Sequence, residues 1–76
     1  EHERWERLLG IQERLVILLP DSIEEVRDRG LIFAQLEYLR PALEDMHRYL
    51  NEMPEAEDAG DIREHIATLE SQTKLH

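Results

Sequence analysis

The sequence predicts an all-α fold of antiparallel helix hairpins, about four helices stacked as a short right-handed array. Three observations predict it. Apolar residues recur three and four positions apart in four successive segments, the spacing of one helical face. No segment alternates apolar and polar residues with period two, and no Asn-Gly or Asp-Gly hairpin turn occurs. Pro20 and Pro54 each close a segment and stand 34 residues apart, a period belonging to stacked helix pairs.

The first helix is expected from about Glu3 to Leu19, where Trp5, Leu8, Leu9, Gln12, Leu15, Val16 and Leu19 share a face and Pro20 ends the run. The second opens at Asp21-Ser22, where Ser22-x-x-Glu25 and Asp21-x-x-Glu24 both fit a capping box. It carries Ile23, Val26, Gly30, Phe33 and Ala34 on one side and runs to about Glu37. The third begins near Pro41, whose missing N–H costs nothing in a first turn. Its stripe is Ala42, Leu43, Met46, Tyr49, Leu50 and Met53. An acidic loop, EAEDAG, separates it from a fourth helix capped by Asp61-x-x-Glu64 and carrying Ile62, Ile66 and Leu69 to about Gln72. The tail TKLH is expected to fray.

Seventy-six residues make one small domain. Its net charge of −9 disfavours nucleic acid and anionic membrane surfaces, which need a basic face. With no cysteine, thiol nucleophiles, thiolate metal sites and disulfides are excluded. That composition suits a reducing, cytoplasmic setting. The longest apolar run, LVILL, is far too short to span a bilayer.

Sliding the chain by 34 residues pairs Leu9 with Leu43, Leu15 with Tyr49, Val16 with Leu50 and Leu19 with Met53; Gln12 against Met46 is a mismatch. The tetratricopeptide repeat has this period. Its pattern wants a small residue where two helices cross, an aromatic three positions on, then a small residue, a bulky one and a closing proline. Gly30, Phe33, Ala42, Met46 and Pro54 occupy those places. Val26 is smaller than the usual opening residue, and Tyr49 stands where a small one is common. Residues 1–20 then read as the second helix of a truncated repeat, 21–54 as one complete repeat, and 55–76 as a capping helix and tail. Gly30, which costs about 1 kcal/mol against alanine in a helix interior, is expected to let a neighbouring helix approach its backbone closely.

The run VRDRGLIFAQL, followed by ALEDMHRYL and MP, resembles the C-terminal region of the bacterial SirB-type proteins, a transglutaminase-like domain followed by tetratricopeptide repeats. Val26 to Leu36, Ala42, Leu43, Asp45, Tyr49, Leu50 and Pro54 carry the likeness, with RDRG its most specific part. The resemblance implies a fragment of a longer chain whose enzyme-like domain lies upstream. No position here matches a catalytic residue of that domain.

No catalytic, cofactor-binding or metal-ligating set is expected. Glu44-x-x-His47 has a di-iron-like spacing but no second motif, and Glu64-His65 are adjacent, so their side chains diverge by about 100°. His2, His65 and His76 lack zinc spacing. EAEDAGD lacks the alternating acidic ladder of a calcium loop. Asp28 and Arg29 read either as a recognition pair or, more simply, as an interhelical contact that fixes register. Trp5 reads as core, or as a partner's anchor.

The function these features imply is protein–protein interaction. The expected groove residues are Glu24, Arg27, Leu31, Ala34 and Gln35, with Arg27 meeting a partner's acid and Gln35 a peptide backbone. Asp28, Arg29, Gly30, Phe33, Ala42, Met46 and Pro54 form the helix crossing. A structural appendage for an upstream domain, or a homodimer through the first helix where Trp5, Leu8 and Leu15 are partly exposed, are the competing readings.

Overall fold

The computed structural model describes residues 2–74 of the chain. Four helices follow in order: α1 (His2–Leu18), α2 (Ile23–Gln35), α3 (Leu39–Glu52) and α4 (Ala59–Lys74), with no strand among the described residues. The all-α hairpin architecture is therefore as expected. Each helix packs chiefly on its neighbours in sequence, and α2 with α3 forms the most extensive pair. The Cα atoms span 35 × 33 × 16 Å, a slab little thicker than one helix with its side chains, about 10–12 Å.

The core lies where α2, α3 and α4 meet. Ile23 and Val26 of α2, Ala42, Met46 and Tyr49 of α3, and Ile62, Ile66 and Leu69 of α4 are buried together. Burying each large side chain contributes about 1.5–3 kcal/mol. The helix α1 differs, because its one buried residue is polar: Gln12. Its amide donates to the Glu25 backbone carbonyl at 3.0 Å and to the Glu25 carboxylate at 2.6 Å. The residue that breaks the 34-residue register thus fastens α1 to α2.

Local signals were less reliable than periodicity. Ser22 is the N-cap of α2, but its side chain makes no capping bond; its hydroxyl reaches Glu24 at 3.3 Å. Neither expected capping box forms there: the Glu25 carboxylate accepts from Gln12 and the Glu24 carboxylate from Ser22. The Asp61 box is also absent, since α4 starts at Ala59 and puts Asp61 inside its first turn. Thr73 and Lys74 are helical, so the tail holds its helix further than expected. Leu75 and His76 lie outside the described residues.

The turn between α2 and α3 has a clear physical basis. Glu37 adopts φ 62°, left-handed for a residue with a side chain. Its N–H bonds the Ala34 carbonyl at 3.0 Å, and the Tyr38 N–H bonds that of Phe33 at 2.9 Å. Those two bonds make a Schellman motif. The apolar contact that usually completes it is present, with the Phe33 and Tyr38 rings 6.2 Å apart.

Candidate functional site

The RDRG segment sits at the crossing of α2 and α3, and each of its residues has a separate task. A Cβ placed on Gly30 would lie 2.9 Å from the Asp45 Cβ and 3.4 Å from both the Ala42 carbonyl oxygen and the Met46 Cγ. Only glycine admits α3 at that separation. The close approach brings Asp45, itself buried, to Arg29. The guanidinium grips it through Nε at 2.8 Å and Nη2 at 2.9 Å. A two-pronged pair of this kind fixes orientation as well as distance. Arg29 also lies over the Phe33 ring, 5.8 Å from its centroid.

Arg27 faces the other way, toward the α3–α4 loop. It donates to Asp28 at 2.9 Å and to Asp58 at 3.1 Å, and its guanidinium lies 5.4 Å from the Tyr49 ring centroid. The Tyr49 hydroxyl donates to the second Asp58 oxygen at 2.6 Å. That hydrogen bond, aided by the Arg27 charge, holds the Asp58 carboxyl below the usual carboxylate range. The same bond, with burial, pushes the Tyr49 phenol up. The two clasps, Arg29–Asp45 and Arg27–Asp58–Tyr49, pin α2 to α3 and to the loop leading into α4.

Arg27 is therefore engaged within the chain. Its acid is Asp58, one of the residues of the acidic loop. Asp28 and Arg29 do not act as one pair: Arg29 reaches across to α3, while Asp28 steers its neighbour Arg27. Leu31 is half-buried against the core, and Glu24 lies beside the α1–α2 turn. Ala34 and Gln35 remain on an open groove of about 580 Å³ between the end of α2 and α4. Glu37, Asp61 and Glu64 make that groove acidic, and His65 and Thr68 add polar contacts along α4. His47 is exposed, its Nε2 3.8 Å from Glu70, and Trp5 is half-buried on α1. Among the described residues, no group of three or more His, Asp or Glu side chains is placed to hold a metal ion.

Sequence reasoning missed the partners of the two arginines, Asp58 with Tyr49 for Arg27 and Asp45 for Arg29. Two signals were available. Tyr49 is larger than its position usually allows, and Asp45 interrupts an apolar stripe beside an arginine-bearing neighbour.

The sequence that builds this hairpin crossing matches a known family. The family model of the tetratricopeptide repeat matches residues 1–67. The chain belongs to the tetratricopeptide-repeat family. It is similar to Protein SirB1 of Salmonella typhimurium, with 38% identity over 77 aligned positions, covering 100% of this chain and 29% of that protein. A UPF0162 protein of Xylella fastidiosa is 34% identical over 70 residues, 92% of this chain and 25% of the relative. In Escherichia coli the UPF0162 protein YchA is 38% identical over 55 residues, 72% of this chain and 20% of the relative. These likenesses mark the chain as a SirB-type tetratricopeptide region, spanning about a quarter of the length of the curated relatives it matches. No solved structure matches it. Among the described residues, no helix of this tetratricopeptide region is long and apolar enough to cross a membrane.

Proposed function

We propose that this tetratricopeptide region is a protein-interaction module whose groove between α2 and α4 receives a peptide segment carrying arginine or lysine side chains. The groove itself carries the reading. Glu37, Asp61 and Glu64 border it, and Gln35 and Thr68 present hydrogen-bonding side chains to a peptide backbone. The net charge of −9 would speed encounter with a basic segment. Arg27 and Arg29 belong to the rigid support beneath and stay on their own aspartates. Binding, not catalysis, is the role, within a longer SirB-type polypeptide in which a transglutaminase-like domain lies upstream.

Selection from a random peptide-display library tests this, followed by NMR titration of the labelled domain. Basic sequences should be enriched, and the amides of Gln35, His65 and Thr68 should shift on titration. Gln35→Ala with Thr68→Ala, which changes no charge, should weaken binding about tenfold, roughly 1.4 kcal/mol. Glu6→Arg on α1 should alter it less than about twofold beyond salt screening. Selection of acidic peptides, or shifts confined to α1, would place the partner elsewhere.

A further inference from the structure

We propose that Arg27 sets the width of the groove between α2 and α4, as a positioning residue and not as a contact for the bound segment. The inference rests on that groove being the binding surface, but the width is a property of the free chain. Two successive hairpins make α2 and α4 run in the same direction. Asp58 immediately precedes α4, and its carbonyl accepts the Ile62 N–H at 2.9 Å, which is the N-cap place. One of its carboxylate oxygens accepts from the Arg27 guanidinium of α2 at 3.1 Å, the other from the Tyr49 hydroxyl of α3 at 2.6 Å. A single side chain thus ties the start of α4 to both helices of the preceding hairpin. Among the described residues, Arg27–Asp58 is the one hydrogen bond or ion pair that joins α2 to the segment opening α4.

The groove lies further along both helices, at Ala34 and Gln35 on α2 and as far as Thr68 and Gln72 on α4. Gln35 stands about 12 Å beyond Arg27 along its helix, and Thr68 about 15 Å beyond Asp58. The helix α4 is therefore pinned near its start and free to swing further on. A tilt of about 10°, inside the scatter of helix packing angles, would carry Thr68 about 2–3 Å away from Gln35. One peptide backbone could not then bond both walls, since donor and acceptor must lie within about 3.2 Å. Tyr49 ties Asp58 to α3 alone, whereas Arg27 belongs to α2, the opposite wall. The Arg27 side chain is only 24% exposed and rests on the Tyr49 ring, 5.4 Å from its centroid. Its own place is thus set before it meets Asp58.

The chain has no cysteine, so Gln35→Cys with Thr68→Cys puts one spin label on each wall, and their dipolar coupling reads the width with no ligand present. Arg27→Met in that background should lengthen the distance by about 2–3 Å. Arg27→Lys, which keeps a cation within reach of Asp58, should restore most of the narrow distance. Tyr49→Phe leaves Arg27 on Asp58 and should leave the distance unchanged, although it lowers stability. In the unlabelled chain, Arg27→Met should weaken binding of a hexa-arginine probe about three- to tenfold, as for one lost hydrogen bond. Simple charge attraction predicts the opposite, since the variant is more negative. An unchanged distance in Arg27→Met overturns the proposal, as does equal widening in Tyr49→Phe, or Arg27→Met binding the probe as tightly as wild type. A chain whose width responds as expected but which does not bind hexa-arginine refutes the basic-peptide reading and leaves Arg27 its positioning role.

Discussion

Replacing Gly30 by alanine sets two opposed effects against each other, and the structure decides the winner. Alanine gains about 1 kcal/mol of helix propensity over glycine. Its methyl, however, would sit 2.9 Å from the Asp45 Cβ, an atom that no side-chain rotation can move. Carbon pairs rest at about 3.5–4.0 Å, so α2 and α3 must separate by roughly 0.6–1 Å at their crossing. Overpacking of this kind costs about 1–3 kcal/mol. The separation also pulls Asp45 from the two donors of Arg29, held at 2.8 and 2.9 Å, which adds about 1–2 kcal/mol for hydrogen bonds to a partly buried charge. The net expectation is a loss of about 1–4 kcal/mol, a large part of the roughly 4–11 kcal/mol a chain of this length can possess. Gly10→Ala is the internal control. Gly10 lies within α1 with nothing within 4 Å of its would-be Cβ, so the propensity gain of up to about 1 kcal/mol stands alone. Urea denaturation of both variants, fitted for free energy and slope, measures the difference. Equal stability of Gly30→Ala and Gly10→Ala would refute the close-crossing argument.

Tyr49→Phe removes the donor to Asp58 and should cost about 1.5–3 kcal/mol near neutral pH, the range for a hydrogen bond to a charged group. Because the Asp58 carboxyl titrates lower in the folded chain than unfolded, its contribution is fully present above about pH 4 and lost as pH falls below that. The stability gap between wild type and Tyr49→Phe should therefore narrow in acid, and a gap that widens there would contradict the assignment; chemical denaturation at several pH values reads it. Glu37→Gly relieves a left-handed residue whose side chain is exposed. After the entropy glycine loses on folding, a net gain of about 0.5–1 kcal/mol is expected in urea midpoints, and no gain would mean the Schellman turn carries no strain.

Much of this architecture was written in the spacing of apolar residues. Helical periodicity is a one-dimensional property, so the stripes of α1 to α4, the stop at Pro20 and the need for a small residue at position 30 follow from the chain order alone. The 34-residue register announced the pairing of hairpins for the same reason. What the sequence could not decide is which polar partner each charged side chain finds. Glu25 fits a capping box, yet Gln12 lies within its reach and takes it instead. Arg27 has the reach and charge of a binding residue, but Asp58, 31 positions away, claims it together with the Tyr49 ring. Long side chains choose among several near-equal partners by distance in space, and that distance exists only once α3 has crossed α2 and the loop has been laid across both.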